Sequence, residues 1–280
     1  MKIAISGHTG YIGTHVKRYL SRETEIDSIE INRNDFQREE QLERKIRDAD
    51  IILNFAGYPV IKRWNAKNKR IIHDSRIDTT TMLADAAGKK TKIFINASAI
   101  GIYDGIGSHD DYSKAYAHNF LARVVKEWEQ ALKNHEPKFE YIAMLRFGVV
   151  IGKNSPSWKM MKMPYKMKIG VQIGHDDEYF SFIRVEEIPR VIEYLIKHKS
   201  PGDVINVVCP GSVLNKELDK VMKTRYGSIC SFRLPNLILR MLYGEAAIAL
   251  VESKNIVPRK LENSSFNFRY SSIEESISDI

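Results

Sequence analysis

The stretch MKIAISGHTGYIG, residues 1–13, decides how the rest of the sequence is interpreted. Lys2–Ser6 has the composition of a buried strand, and apolar residues then recur at helical spacing from Ile12 onward. Three glycines lie at this strand-to-helix turn, at Gly7, Gly10 and Gly13. Glycines so spaced permit a tight turn, close approach of the backbone to a ligand and close packing of helix on strand. Because a helix N-terminus presents unpaired N–H groups to an anion, the stretch predicts a site for the pyrophosphate of a dinucleotide.

The end of the second predicted strand, Ser28–Asn32, indicates which dinucleotide binds. Sites for NAD(H) usually have an acidic residue there, which binds the ribose hydroxyls. This sequence has Asn32 at about that position, followed by Arg33, whose guanidinium can pair with a 2′-phosphate. We therefore expect NADP(H) to be preferred. Glu30 leaves NAD(H) open as the alternative, and a solvated loop position is the plainer interpretation of Arg33.

Strand and helix patterns alternate with short connections through the first two thirds of the chain. Apolar strand-like runs end near Gly57, Ile100 and Gly152, and each is separated from the next by a helical pattern. Such alternation is typical of a parallel sheet covered on both faces. We predict an α/β fold, a Rossmann-type doubly wound parallel sheet with a small C-terminal α/β lobe.

The pattern loosens after Gly152 and suggests how the domains divide. We expect residues 1–232 to form an NAD(P)-binding Rossmann domain, with 153–232 partly in a substrate lobe. We expect residues 233–280 to form a small C-terminal domain packed on the same unit. An apolar helix pattern from Leu237 to Val251 contains too many large side chains to remain exposed.

The composition excludes some function classes. Lys and Arg number 43 against 35 Asp and Glu, a formal charge of +8, with dense basic stretches at Lys62–Arg70 and Trp158–Lys168. No zinc-ligand spacing or nucleic-acid-binding motif accompanies them. We therefore expect either a solvated basic face or a cleft that binds an anionic small molecule, and we expect no binding of nucleic acid. No run is apolar enough to span a membrane, and we expect no metal site. The two cysteines form no CxxC and are expected to be thiols of a cytoplasmic protein.

Several longer stretches carry a family resemblance. They are LNFAGYPVIKRW, HDSRIDTT, INASAIGIY, FLARVVKEWE, LRFGVVIG, EYFSFIRVEEI, YGEAAIAL and VPRKLENSSFNFRY. In these stretches the chain resembles the extended short-chain dehydrogenases/reductases. It is most similar to their atypical subgroup of uncharacterised nucleotide-sugar-epimerase-like proteins with a C-terminal domain of unknown function. The resemblance covers nearly the whole chain, and it leaves a homodimer open.

The resemblance implies roles for individual residues. Ser98 matches the superfamily's serine, which hydrogen-bonds the reacting carbonyl or hydroxyl and is the expected catalytic residue. Residues implied to line the pyrophosphate are Gly7, Thr9, Gly10, Tyr11 and Ile12. Residues implied to lie beneath the ribose and nicotinamide are Phe55, Ala56 and Gly57.

The superfamily's usual Tyr–Lys pair is missing from its expected helix. That pair forms YxxxK after the serine strand, but the matching positions here hold Leu121 and Val125, neither of which can transfer a proton. The only literal YxxxK is YPVIK, Tyr58 to Lys62, which contains a proline and which we interpret as coincidence. Other residues that could reach a substrate, each with a packing or surface interpretation as its alternative, are Arg63 with Trp64, Tyr103, His109, Tyr112, Tyr116, His118 and Arg146.

Two hypotheses of different class remain open. The first is an NADP(H)-binding oxidoreductase or epimerase-like enzyme for a small substrate, anionic or neutral, with Ser98 holding the reacting oxygen and another group supplying the proton. The second is a non-catalytic binding or regulatory protein whose partner contacts depend on the bound nucleotide. The missing pair favours the second, and the intact glycine motif favours neither.

Overall fold

The computed structural model describes residues 1–23, 26–247 and 254–280. Strands alternate with helices, as the sequence predicts. The strands are β1 Lys2–Ser6, β2 Asp27–Ile31, β3 Ile51–Asn54, β4 Ile93–Ala99, β5 Ser108–His109, β6 Tyr141–Phe147, β7 Val149–Ile151, β8 Ile169–Gln172, β9 Tyr179–Phe180, β10 Phe182–Arg184, β11 Val204–Val207, β12 Val213–Leu214, β13 Cys230–Arg233 and β14 Asn255–Ile256. The helices are α1 Tyr11–Glu23, α2 Glu39–Ile46, α3 Ala66–Asp85, α4 Phe120–Lys133, α5 Pro156–Lys166, α6 Glu187–His198, α7 Asn215–Tyr226, α8 Asn236–Tyr243, α9 Arg259–Glu262 and α10 Ile273–Ile277.

Six parallel strands form the central sheet in the order β2-β1-β3-β4-β6-β11. The chain leaves β1 for β2 on one side and then returns to place β3 on the other side of β1. This reversal is the switch point of a doubly wound sheet, where ligands bind outside the carboxyl ends of the strands. The predicted Rossmann-type parallel sheet is confirmed.

Helices cover both faces of the sheet, which explains why its strands are almost continuously apolar. One core cluster combines the sheet with Val16 and Leu20 of α1 and with apolar residues of α6 such as Ile192. The opposite cluster contains Leu42 of α2 and Leu132 of α4. Parallel sheets are normally buried on both faces in this way.

Short two-stranded pairings and several helices complete the C-terminal part. Strands β8 and β13 pair beside α5 and α7, and Trp158 and Met222 lie in a third core cluster. The last residues reach back into both parts. Leu261 and Phe266 lie in the same cluster as Ile3 of the sheet, whereas Ile277 lies in the third cluster.

The predicted apolar helix from Leu237 to Val251 is only partly visible. Helix α8 ends at Tyr243, a 3-10 turn follows over Gly244–Ala247, and residues 248–251 lie outside the described residues. Leu237, Met241 and Leu242 of α8 are exposed, against the expectation that such side chains are covered. Leu239 is buried and Tyr243 packs against a core cluster. Within the described ranges, no helix is long and apolar enough to cross a membrane.

Candidate functional site

The glycine loop between β1 and α1 is built by the close approach of three backbone segments. Gly7 has φ +75°, and a Cβ there would lie 2.6 Å from the carbonyl carbon of Phe55. A Cβ at Gly13 would lie 2.2 Å from the Gly7 carbonyl oxygen, whereas a Cβ at Gly10 would lie 3.1 Å from that oxygen. Gly7 and Gly13 are therefore required by the packing of the chain itself. Gly10 is less constrained by the chain, which is the expected property of the glycine that a ligand approaches.

A cleft of about 290 Å³ opens at this loop. Six of the nine residues predicted to bind the cofactor line it, namely Gly7, Gly10, Tyr11, Ile12, Phe55 and Gly57. The loop and the start of α1 form one wall, and the end of β3 forms another. Unpaired N–H groups at the start of α1 face an anion that enters here, so a pyrophosphate fits the cradle.

The other three predicted residues lie outside the lining of the cleft. Thr9 is exposed, and Arg33 is exposed at the start of the 3-10 turn Arg33–Gln37. The backbone nitrogen of Ala56 would lie 2.7 Å from a Cβ at Gly7. Ala56 therefore lies beneath the loop. Its assignment and those of Thr9 and Arg33 stay predictions.

Five lining residues were not predicted to bind the cofactor: Gly13, to which the sequence assigned a packing role, and Val150, Ser155, Pro156 and Ser157. Ser155 caps α5, because its hydroxyl donates to the Val150 carbonyl at 2.6 Å and accepts from the backbone N–H of Trp158 at 3.3 Å. A second helix N-terminus thus opens into the cleft. Tyr11 links the start of α1 to the segment before α5, since its hydroxyl donates to the Lys153 carbonyl at 3.0 Å. The sequence signal was present: a strand followed by Ser-Pro is a typical helix start.

Both carboxylates near the end of β2 are paired with cations. Glu30 accepts a hydrogen bond from Lys17 and lies 3.4 Å from His8 Nε2. The hydrogen bond from Lys17 lowers the pKa of Glu30 and outweighs the opposing effect of burial. Asp35 accepts from Lys45 at 2.5 Å, which, with a backbone hydrogen bond, outweighs burial and lowers the pKa of Asp35. These pairings offset negative charge beside the exposed Arg33.

Ser98 lies in a buried polar network and does not line the cleft. It is 4% exposed, and its hydroxyl donates to Glu129 Oε1 at 2.6 Å. Glu129 also accepts two hydrogen bonds from Arg146, at 2.7 Å each, and Arg146 donates to the Tyr103 hydroxyl at 2.7 Å. The network therefore ties β4 and β6 to α4. The catalytic role of Ser98 stays a prediction, and its hydroxyl is already engaged.

The charges of this network stabilise one another. Burial alone would lower the pKa of Arg146, but the hydrogen bonds and charge of Glu129 outweigh it and raise that pKa. Burial raises the pKa of Tyr103 to about 12, against the lowering effect of Arg146. Tyr103 is accordingly a neutral hydrogen-bonding group near neutral pH. Among the described residues there is no group of acidic, histidine or cysteine side chains that could hold a metal ion.

Comparison with known proteins identifies the family to which this chain is related. A profile of the NAD dependent epimerase/dehydratase family matches residues 3–207. The chain belongs to this family. A second profile, for a domain of unknown function (DUF1731), matches residues 234–280, in agreement with the resemblance inferred from the sequence.

Relatives of this epimerase/dehydratase family member extend over its whole length. An epimerase family protein of Staphylococcus epidermidis is 24% identical over 99% of this chain and 97% of its own. The human epimerase family protein SDR39U1, solved with NADPH, has a TM-score of 0.88 and 22% identity, covering 99% of this chain and 97% of the human one. A dTDP-4-dehydrorhamnose reductase from Clostridium acetobutylicum has a TM-score of 0.78 at 14% identity, covering 99% and 96%. At these identities the structural likeness shows the fold alone.

In this family member, the positions expected to hold the Tyr–Lys pair are apolar and face packing clusters. Leu121 packs against a cluster that contains Trp64 and Val124, and Val125 is buried beside Ile102. Trp64 itself is a packing residue, because it is buried and donates its indole N–H to a backbone carbonyl. The remaining candidates on the serine side also lie outside the lining of the cleft: Tyr103, His109, Tyr112, Tyr116, His118 and Arg146.

The YPVIK segment has a geometry that sequence reasoning missed. Lys62 Nζ donates to the Tyr58 hydroxyl at 2.9 Å, although a proline lies between the two residues. The backbone of Tyr58 is held at both ends, since its N–H donates to Ser75 Oγ at 3.0 Å and its carbonyl accepts from Arg76 at 3.1 Å. Burial lowers the pKa of Arg76 to about 10. The segment follows Gly57 directly, at the end of the cleft formed by β3.

Proposed function

We propose that this protein binds NADP(H) in the cleft between the glycine loop, the end of β3 and the start of α5, and uses it as an epimerase-like oxidoreductase on a small, anionic substrate. The single observation that carries the proposal is the cradle of Gly7, Gly10 and the start of α1, whose backbone and helix N-terminus suit a pyrophosphate. Membership of the NAD dependent epimerase/dehydratase family supports the same cofactor class.

The preference for NADP(H) rests on the charges around the end of β2. Glu30 and Asp35 are paired with Lys17 and Lys45, so neither carboxylate presents an unopposed charge to a 2′-phosphate. Arg33 is exposed beside them and able to pair with that phosphate. The human relative's structure with NADPH agrees with this preference, whereas a related structure, of MoeE5, contains NAD.

Residues of the glycine loop, the end of β3 and the start of α5 would hold the cofactor and the substrate. The cofactor supplies hydride chemistry when bound. Backbone N–H groups of the glycine loop would bind its pyrophosphate, and Phe55 and Gly57 would lie beneath its nicotinamide half. The start of α5, capped by Ser155, would face the substrate side. We place the protein in the cytoplasm as part of the same proposal, because both cysteines are free thiols.

The test is cofactor binding measured with matched variants. NADPH should bind more tightly than NADH, as judged by quenching of tryptophan fluorescence and by the rise in melting temperature. Arg33→Ala should remove most of that preference, about 1–3 kcal/mol for the loss of a hydrogen bond to a charged group. Arg38→Ala removes an exposed arginine a few residues away and is the control. Equal affinity of the wild type for the two cofactors would contradict the preference.

Two observations support a second function. Leu121 and Val125 occupy the positions of the usual proton-transfer pair, and Ser98 is held by Glu129. A nucleotide-dependent binding or regulatory protein would need no such groups. Tight NADPH binding without turnover on any carbonyl compound would favour this alternative.

A further inference from the structure

The positive charge of this chain is concentrated in two stretches. Residues 152–175 and 220–244 together contain ten of the 43 lysine and arginine residues and none of the 35 aspartate and glutamate residues. The remainder of the chain has 33 cationic residues against 35 acidic ones, so the two stretches account for the whole excess of +8. Strand β8 belongs to the first stretch and pairs with β13 of the second, so the fold places the two stretches side by side.

Exposed apolar side chains are concentrated in the same two stretches. Of the fifteen large apolar side chains that are exposed among the described residues, ten lie there. Six of them are Met160, Met163, Met167, Ile169, Ile229 and Phe232, and the other four are on α8, which follows β13 after two residues. Exposed apolar side chains that gather in one region mark an interaction surface, whereas scattered ones need no explanation.

Helix α5 shows how the sequence produces this arrangement. Trp158 and Tyr165 lie on the face that packs in the third core cluster. Met160, Met163 and Met167 recur at helical spacing on the opposite face, and all three are exposed. Methionine is flexible and polarisable, so an exposed row of methionines can adapt to a soft or irregular apolar partner.

Lysines flank the methionine row. Lys159, Lys162 and Lys166 recur at the same helical spacing along one side of it. The charged neighbours of Lys162 are cations: its pKa is lowered by burial and then by the charges of Lys166, Lys159 and Arg225. These side chains repel one another in the free protein, and a partner that supplies negative charge relieves the repulsion.

The paired strands β8 and β13 continue the surface. Gly170 faces the interior, since a Cβ there would lie 2.6 Å from the ring of the buried Tyr165. Neighbouring residues of a strand point to opposite sides, so Ile169 and Phe232 point outward, and both are exposed. Ile229 donates its backbone N–H to the residue before Ile169 at 3.1 Å. We call the solvent-accessible side chains of residues 159–169 and 225–233 the basic apolar face.

The composition of the basic apolar face selects its partner. A second copy of this chain would place cations opposite cations, which opposes association. Nucleic acid is bound by cations together with aromatic side chains that stack on bases, but among the ten exposed apolar side chains only Phe232 is aromatic. An anionic membrane surface offers lipid phosphates to lysines and an acyl boundary to aliphatic side chains, and it requires no fixed geometry.

We propose that the basic apolar face docks this protein on the surface of a membrane that contains anionic phospholipids. The lysines contact the headgroups, and the methionine row of α5 with Ile169, Ile229 and Phe232 enters the boundary between headgroups and acyl chains. Such docking is peripheral and requires no membrane-spanning helix. It does not depend on the proposed function, because none of these side chains lines the cleft.

The first experiment is co-sedimentation of the full chain with vesicles made of equal parts of phosphatidylcholine and phosphatidylglycerol. The wild type should bind these vesicles, bind them more weakly as salt is added, and not bind vesicles of phosphatidylcholine alone. The triple variant Lys159→Gln, Lys162→Gln, Lys166→Gln should bind roughly a hundredfold more weakly, because a lysine near an anionic surface contributes about a factor of five.

A second triple variant is the matched control. Lys67→Gln, Lys89→Gln, Lys126→Gln removes three exposed lysines outside the basic apolar face and changes the net charge by the same amount. It should bind the anionic vesicles like the wild type. Melting curves of both variants should match that of the wild type, which shows that a loss of binding is not a loss of folding.

The second experiment measures whether the methionine row enters the membrane. The three native tryptophans are buried, so a tryptophan introduced at an exposed position reports on its own surroundings. The emission of Met163→Trp should shift to shorter wavelength when anionic vesicles are added, because the indole leaves water. Ile106→Trp places the probe at an exposed position in the loop before β5, outside the face, and its emission should not shift.

The outcomes decide between the membrane and the other partners. Failure of the wild type to bind anionic vesicles would overturn the proposal, and so would equal losses in the two triple variants or an emission shift at neither probe. If vesicles are not bound, binding of duplex or single-stranded DNA that the Lys159, Lys162 and Lys166 variant loses would assign the face to nucleic acid. A dimer in sedimentation velocity that Met163→Gln dissociates would, in the same case, assign it to a second copy.

Discussion

The glycine loop and the Ser98 network lie at the carboxyl ends of two strands of one sheet, β1 and β4, which β3 separates. The loop is formed by backbone, whereas the network is formed by side chains. The loop after β1 consists of backbone, and the absence of side chains at Gly7 and Gly13 is what permits it. The network at β4 consists of side chains from three elements, namely Ser98, Glu129 and Arg146. Both were predicted to serve the reaction, but only the loop faces the cleft.

The two features differ in how far apart in sequence the residues that form them lie. A glycine turn is specified by neighbouring residues in the chain, so its spacing reports its structure directly. A serine at a strand end can face a ligand or another side chain, and the choice depends on residues far away in sequence. Here Glu129, 31 residues later, accepts its hydrogen bond. A backbone site is thus easier to recognise from a sequence than a side-chain site.

Breaking the ion pair between Glu129 and Arg146 should have the largest effect on stability. Arg146→Met removes the partner of a nearly buried carboxylate, and we expect a loss of about 3–5 kcal/mol in the free energy of unfolding, measured by urea denaturation. Adding Glu129→Gln to that variant should recover part of the loss, because no charge is then left unpaired. A loss below about 1 kcal/mol for Arg146→Met would show that the network is not a structural unit.

Ser98→Ala tests which task the serine performs. The hydroxyl donates to a buried carboxylate, so its removal should cost about 1.5–3 kcal/mol of unfolding free energy, the range for hydrogen bonds to charged groups. NADPH affinity should stay the same. Unchanged stability together with slower turnover would instead support the catalytic role expected from the family resemblance.

Two glycine substitutions compare the parts of the loop. Gly13→Ala places a Cβ 2.2 Å from the Gly7 carbonyl oxygen and should cost about 1–3 kcal/mol of stability, as overpacking usually does. Gly10→Ala meets that oxygen at 3.1 Å and should weaken NADPH binding with a smaller loss of stability. Unfolding curves and cofactor titrations of both variants make the comparison, which would fail if the two variants lost stability equally.

The smallest effect concerns a partly exposed ion pair that joins α3 to α4, the helix of Glu129. His73 of α3 lies 2.7 Å from Glu127 of α4 and 2.9 Å from Asp74. The hydrogen bond with Asp74, with help from Glu127 and against burial, raises the pKa of His73. The stabilisation is therefore complete below the pKa of an unfolded histidine, about 6.5, and is lost as the pH rises through the higher folded value.

His73→Gln should reveal this pH dependence. The variant should be less stable than the wild type by under about 1 kcal/mol near pH 6, because all three side chains are at least a third exposed. The difference should shrink as the pH rises toward 9. Melting curves across that range measure it, and a difference that grows with pH would have the wrong sign for a protonated histidine.

Sequence reasoning predicted the sheet and the glycine loop because both depend on local patterns, whereas Phe55 and Gly57 of the cleft were implied by the family resemblance. The strands Lys2–Ser6 and Ile93–Ala99 and the glycine loop are specified by apolar runs and glycine spacing. It did not predict the engagement of Ser98, because that depends on helix α4 meeting the end of β4. It also missed the Tyr58–Lys62 contact, because a proline made a common helical face improbable, whereas a loop brings the two side chains together.

The packing of Phe266 against the same cluster as Ile3 and Val16 has a consequence for synthesis on the ribosome. The first strand and helix emerge early, but part of the surface that covers them is encoded more than 200 residues later. In a nascent chain, this apolar surface therefore stays exposed until residues near Phe266 have left the exit tunnel. Such partly covered intermediates are prone to aggregate, so we expect co-translational chaperones to matter more for this chain than for one whose core closes in sequence order.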